Sequence, residues 1–334
     1  MATLASLAPL PSFAHVRGIE DYWLRRTGRV EQRRANDMAD RILLDALGLG
    51  IEQTLLPLLR ERPDFPTFEA WVFDRVGALD ADRIDRYNAW FEGQPVPEAT
   101  RRRLDAIDAM APVLDADDLR LWDEQGYVVL RGAIDRQEAA DLEALLWQVV
   151  DARPDDAATW YGGRTNGIMI QHFQHPAQDA VRRSPRVHKA FAQLWGTSDL
   201  WATTDRMSFN PPERQDYRLP GPRRHWDVSL ALPIPFGTQG ILYMTDTAAD
   251  QGALELVPGF QHRVVSWLEG LGDADPRQVD LSAEAITVPA AAGDLVIWRQ
   301  ELPHGPSPNR TDRPRMAQYI NMYSPAAQVN PVWR

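Results

Sequence analysis

From Tyr161 onward the chain is a series of short β-branched and aromatic runs separated by Gly, Pro and Asp: NGIMIQ, LWATTDRMSFN, RHWDVSLAL, QGILYMTD, ALELVP, EAITVP, DLVIWR and MAQYINMY. Strand-forming runs this closely spaced, with one helical stretch among them (SPRVHKAFAQLW), predict an all-β sandwich or barrel. Strand does not alternate with helix as a doubly wound parallel sheet requires, and no glycine-rich phosphate loop is present. Nucleotide-dependent chemistry on those folds is therefore not expected.

The preceding region reads differently. Between Ile19 and Asp151 apolar residues recur at three- and four-residue spacing in ADRILLDALGLGIEQTLLPLL, FEAWVFDRVGAL and EAADLEALLWQVV, which predicts helices. Pro57, Pro63, Pro66, Pro95 and Pro97 are expected to divide this region into short pieces. The run GYVVLRGAI, Gly126 to Ile134, is a predicted strand between two helices, so a mixed unit should begin near Leu114. The expected organisation is α+β, with a helical extension over residues 1–113 and a β-rich domain over residues 114–334.

Net charge is −11, which argues against nonspecific binding to nucleic acid or to an anionic membrane. The helical pieces of the extension carry both charge signs and no basic stripe. They are expected either to form a homodimer or to cover the mouth of the barrel. The first residues lack a basic leader, and no stretch approaches the roughly 18 uninterrupted apolar residues of a membrane span, so a cytoplasmic protein is expected.

The chain has no Cys, which removes disulfides, thiolate metal sites and a Cys nucleophile. A metal would have to sit on His, Asp or Glu, and there are seven histidines. His225 and Asp227 stand two apart in a predicted strand and so point to one side. His304, just after DLVIWR, is the natural third ligand of a two-His-one-carboxylate face, which suits non-haem Fe(II) and leaves positions open. His-x-Asp alone arises readily by chance; the support lies downstream. Arg315, eleven residues beyond His304, opens the run RMAQYINMY, and its planar fork can hold the far carboxylate of a dicarboxylic cosubstrate. Arg313 shares the predicted strand face, so spacing alone separates the two.

Other residues carry weaker signals. His172 and His175 should face opposite ways on a strand and so form no metal pair, and His262 reads as a structural hydrogen-bonding residue near the barrel rim. Trp160 and Tyr161, leading into the first barrel strand, are candidate substrate walls. Arg223 and Arg224 would attract an anionic substrate or simply form a solvated loop.

Taken in order, RMSFNPP, HWD, QGALELVPGFQH and GDLVIWRQELPHGPSPNRTDRPR resemble the phytanoyl-CoA dioxygenase-like branch of the Fe(II)/2-oxoglutarate oxygenases, over roughly Leu114 to Tyr323. The resemblance implies a double-stranded β-helix (jelly-roll, cupin-like) barrel with flanking helices behind the helical extension. It implies His225, Asp227 and His304 as catalytic iron ligands and Arg315 as the partner of the C5 carboxylate of 2-oxoglutarate. Tyr243 falls where the family places a wall of the cosubstrate pocket, and Gln171 where it often places a cosubstrate or substrate contact. The implied reaction consumes 2-oxoglutarate and O2 and hydroxylates an unactivated C–H bond of a small-molecule metabolite, giving succinate and CO2.

Departures from the family pattern are visible. Trp226 replaces a common Gln and should point away from the metal, and Phe260 stands where Ser is preferred. The hydroxyl usual after the distal His is displaced by Pro306, leaving Ser307 or Thr311 to assist Arg315. The competing expectation is a cupin-like metal- or ligand-binding barrel without oxygenase activity, which would have no use for Arg315.

Overall fold

The computed structural model describes residues 12–33, 36–162, 167–219 and 224–334. The chain divides into two compact units, one ending at Arg101 and one running from Arg102 to Arg334. The expected boundary at 113/114 falls between helices α6 and α7.

The first unit is helical: α1 (Ile19–Arg26), α2 (Asp37–Leu47), α3 (Ile51–Arg60), α4 (Phe65–Val76), α5 (Ala81–Phe91) and the start of α6 (Glu98–Ala109). Gly48, in the left-handed conformation at φ 76°, ends α2, which an L-residue with a side chain would do only under strain. Pro57 does not divide the chain as expected; it lies inside α3. Pro66 sits in the first turn of α4, where its missing N–H is not needed, and Asp64 caps that helix by accepting from the Thr67 amide. Among the described residues no single helix is long and apolar enough to cross a membrane; α2 and α3 pass that test only as a pair bent by 108°.

The second unit carries the strands. Its elements are α7 (Ala116–Gln125), β1 (Tyr127–Leu130), α8 (Arg136–Val150), β2 (Met169–Ile170), α9 (Pro176–Arg182), α10 (Pro185–Trp195), β3 (Trp201–Ala202), β4 (Met207–Asn210), β5 (Thr238–Tyr243), β6 (Leu254–Leu256), α11 (Val264–Gly270), β7 (Ile286–Val288), β8 (Leu295–Arg299), β9 (His304–Pro306), β10 (Arg315–Tyr319) and β11 (Met322–Tyr323). A large sheet runs in the order β1-β8-β5-β10-β4-β2, with every neighbouring pair antiparallel. A small sheet has the order β7-β6-β9, and β11 pairs with β3. From β5 to β10 the chain passes from the large sheet to the small one and back, twice.

The two-residue period of the strands sorts their side chains. Leu242, Leu295, Ile297 and Met316 face one way and pack against Leu142 and Leu146 of α8 and Val187 and Phe191 of α10. Ile241, Tyr243, Val296, Trp298 and Ala317 face the other way and pack with Leu254, Leu256 and Val288 of the small sheet. The run RHWDVSLAL departs from its expected strand. Only His225 makes a ladder contact, exchanging backbone hydrogen bonds with His304 at 2.9 and 3.1 Å. The rest of that run is a loop.

Candidate metal centre and arginine pocket

The His225–His304 bridge brings two imidazoles together, with ring centroids 4.9 Å apart. Asp227 lies between them. Its Oδ1 is 3.4 Å from Nε2 of His225 and its Oδ2 is 3.2 Å from Nε2 of His304. One ligand atom from each of the three lies within 4.8 Å of the others, and among the described residues this is the group that meets the geometry of a metal site. Nδ1 of His304 is 3.0 Å from the Leu302 carbonyl, a contact that fixes the orientation of the ring and turns Nε2 toward Asp227. Partial burial pushes the Asp227 carboxyl up, but hydrogen bonds and charge from His225 and His304 outweigh it and hold the group well below the usual carboxylate range. Gln239 on β5 donates to Oδ2 at 2.5 Å. This donor set, two imidazole nitrogens and an ionised carboxylate, fits a divalent transition metal.

Arg315 begins β10 and is 1% exposed. Its Nε donates to the Gly252 carbonyl at 3.0 Å and its Nη1 to the Ser208 hydroxyl. Its Nη2 makes no hydrogen bond among the described residues. Asn210 stands opposite Arg315 in the β4–β10 register, and Nδ2 of Asn210 donates to the Ser307 carbonyl at 3.3 Å. The Asn210 Oδ1 and the Ser307 hydroxyl are buried without a hydrogen-bond partner. Buried polar atoms are rarely left this way; the Ser307 hydroxyl can donate, as the free edge of the guanidinium can, and two such donors in a buried region fit an oxygen-rich anion, whereas the Asn210 Oδ1 can only accept. Gly252 must be glycine: φ is +70°, and a Cβ would stand 2.3 Å from Nδ2 of Asn210. Tyr243, fully buried, lies within the electrostatic reach of Arg315; its hydroxyl accepts from the Leu254 amide at 2.8 Å and donates to the Val288 carbonyl at 3.3 Å. Burial pushes that phenol up to about 12, so it stays neutral.

Residues 122–317, more than half of the 334-residue chain, match the family model described as phytanoyl-CoA dioxygenase (PhyH). The chain belongs to the phytanoyl-CoA dioxygenase family. It is 21% identical over 271 residues to a Dictyostelium discoideum protein named "Putative phytanoyl-CoA dioxygenase", covering 63% of this chain and 76% of that one. Solved structures similar to it include AviO1 from Streptomyces viridochromogenes Tue57, at TM-score 0.47 and 19% identity over 66% of this chain and 99% of that one. EvdO2 from Micromonospora carbonacea var. aurantiaca, complexed with 2-oxoglutarate, has TM-score 0.47 and 20% identity over 67% of this chain and 96% of that one.

In this family member several of the other expected residues lie elsewhere. Thr311 bonds Asn309 Oδ1 and the Arg313 carbonyl, and neither it nor Ser307 reaches the Arg315 guanidinium. The hydroxyl that does is Ser208, which sequence reasoning missed. Arg313 is exposed, outside β10, and lines a separate cavity with Trp160, Trp147 and Met244. Trp160 is thus not brought to the triad. Tyr161 packs edge-on against Tyr217 and donates to the Pro212 carbonyl at 2.9 Å, beneath the Arg214 guanidinium. Gln171 is exposed, just past β2.

The remaining candidates are spoken for. Arg224 is not free to attract an anion, because it is paired with Glu255 on β6 and bonded to Ser282. Arg223 lies outside the described residues. His172 and His175 are in a loop rather than on a strand, with rings 6.1 Å apart; His172 is bonded to Gln178 and His175 caps α9. His262 bonds the Asp123 carbonyl at 2.8 Å. Trp226 points into the core, where it meets Phe260 and Trp267 and donates to the Glu301 carbonyl at 2.8 Å.

The signal for Ser208 and Gln239 was present in the strand period. In β4 the apolar Met207 and Phe209 alternate with Ser208 and Asn210, and in β5 Gln239 shares a face with Ile241 and Tyr243. Lone polar residues on the inward face of a strand mark the lining of a site.

Proposed function

We propose that this protein is an Fe(II)/2-oxoglutarate-dependent oxygenase built on a double-stranded β-helix, hydroxylating a C–H bond of a small-molecule metabolite. The observation that carries this reading is the occurrence, in one chain, of a two-His-one-carboxylate triad and a fully buried arginine with one edge of its guanidinium unbonded among the described residues. The alternation of the chain between the two sheets from β5 to β10 supports the barrel. A metal- or ligand-binding barrel without oxygen chemistry would have no need of that arginine.

In this reading His225, Asp227 and His304 hold the iron and Arg315 holds the C5 carboxylate of 2-oxoglutarate. The metal, once bound, supplies dioxygen activation coupled to decarboxylation of 2-oxoglutarate to succinate and CO2. The chain's own residues do the rest. Asp227 stays ionised, and the Leu302 carbonyl fixes the orientation of the His304 ring. Ser208 and the Gly252 carbonyl aim the guanidinium, and Tyr243 walls its pocket with a neutral ring. Burial of Arg315 removes competing water and strengthens its charge-assisted bonds.

The test is succinate release in the presence of Fe(II), 2-oxoglutarate, O2 and pooled candidate metabolites, with mass spectrometry of any consumed compound. Succinate formation that depends on one pool, with a product 16 mass units heavier by incorporation of one oxygen atom (about one O), is the expected outcome. Metal and 2-oxoglutarate binding with no succinate from any pool, and none from slow uncoupled turnover, would favour the ligand-binding barrel.

A further inference from the structure

Two of the three triad residues lie on a segment that no sheet holds beyond the single bridge at His225, so something else must set the position of Asp227. Resting on the metal-site reading above, we propose that Arg277 is a positioning residue for Asp227, locked in place by residues 330–334. Nη1 of Arg277 donates to the Trp226 carbonyl at 2.7 Å and Nη2 to the Val228 carbonyl at 2.8 Å. These are the carbonyls on either side of Asp227. One planar fork thereby ties the backbone before and after the carboxylate ligand, a geometry that a lysine cannot reproduce.

The fork is itself fixed. Arg277 sits in the turn Pro276–Gln278, where its amide donates to the Asp275 carboxylate at 2.9 Å. Its guanidinium lies 5.0 Å over the Trp333 ring, and Nη2 also reaches the Arg334 carbonyl at 3.1 Å. The same terminal segment grips the loop further on. Ser229 donates to the Val332 carbonyl at 2.7 Å and accepts from the Arg334 amide at 3.1 Å. The Leu230 amide donates to the Arg334 carbonyl at 3.2 Å, and Asn330 donates to the Ala231 carbonyl at 2.6 Å. Residues 226 to 231 thus take from side chains and a distant segment the hydrogen bonds that a strand would take from its neighbours.

A ligand on a mobile loop must be ordered each time the metal binds, and a tether removes that cost. The experiment is Co(II) titration of the full chain, reading both the dissociation constant and the ligand-field absorption spectrum, alongside thermal melting. Arg277→Met is expected to weaken Co(II) on the order of 10- to 100-fold and to alter the spectrum. Arg277→Lys should recover little of this. Trp333→Ala, which removes the stack on the Arg277 guanidinium and leaves the fork itself in place, should weaken Co(II) by about two- to five-fold and stays informative if the Arg277 variants do not fold. Asp227→Ala is the control for the site itself. If it loses Co(II) while Arg277→Met and Trp333→Ala keep wild-type affinity and spectrum, the tether is overturned, even where their melting temperatures fall. If Asp227→Ala binds Co(II) as the wild type does, the metal-site reading fails instead.

Discussion

The two halves of the candidate site are held in different ways. His304 and Arg315 open strands β9 and β10, and their side chains are almost completely buried. His225 and Asp227 stand on a loop, with side chains 37% and 52% exposed. Sheet hydrogen bonds fix the first pair as part of the fold's own ladder. In the second pair His225 is joined to β9 by one backbone bridge, and Asp227 depends on side-chain donors, Gln239 on the carboxylate and Arg277 on the flanking backbone. A ligand half built into strands is stable whether or not metal is present, whereas a loop-borne half is where affinity can be tuned without disturbing the core.

That contrast can be broken most forcefully at the loop. Asp227→Ala should abolish stoichiometric Co(II) binding while leaving the melting temperature of the metal-free protein close to that of the wild type. Calorimetric titration together with melting curves checks both. A large loss of stability would mean that the loop-borne ligand is as much a part of the core as the strand-borne one.

The strand half should respond in the opposite sense. Arg315→Met is expected to weaken 2-oxoglutarate binding to the Mn(II)-loaded protein by about 10- to 100-fold, since each hydrogen bond to a charged group contributes about 1.5–3 kcal/mol. Mn(II) affinity should be unchanged. Titrating the two ligands separately distinguishes this from a general collapse of the site.

Gln239→Leu sharpens the comparison, because Gln239 lies on a strand yet serves the loop. Loss of its bond to Asp227 should weaken Co(II) by about 10-fold, with 2-oxoglutarate affinity falling only as the metal does. Equal metal affinity in the variant would show that the backbone tether alone positions the carboxylate.

The smallest effects belong to the residues weighed as a helper of Arg315 or as its less favoured alternative. Thr311→Ala and Arg313→Ala should each leave the 2-oxoglutarate dissociation constant within about two-fold, as surface substitutions usually do. An Arg313→Ala protein that lost 2-oxoglutarate binding while Arg315→Met kept it would reverse the assignment of the arginine.

The same division explains what could be read from the sequence. DLVIWR and RMAQYINMY are strands with a clear inward and outward face, so His304 and Arg315 were placed by period and spacing. RHWDVSLAL has comparable β propensity but meets a strand only at His225. The partners that hold Trp226, Val228 and Ser229 from the turn and from the final segment lie 49 to 105 residues away. Such contacts leave no local pattern, which is why Arg277 carried no signal. Ser208 leaves no trace in the order of motifs, because the hydroxyl that meets Arg315 comes from across the β4–β10 pair and not from the residues after His304. Pro57 misled because a single lost amide bond did not outweigh the packing of the helix that contains it.

The strand order of the large sheet also bears on synthesis. No two neighbours in β1-β8-β5-β10-β4-β2 are consecutive in the chain, so the sheet contains no local hairpin from which to begin. Pairing of that kind is slow, because long loops must close before any contact is gained. β10 is the only link in that order between β1-β8-β5 and β4-β2. Without β10 in place, β1-β8-β5 and β4-β2 share no strand, so a newly made chain cannot complete this sheet until residues 315–319 have paired on both sides. The strand that joins them begins with Arg315, so closing the sheet and delivering the buried cation to its pocket are one event.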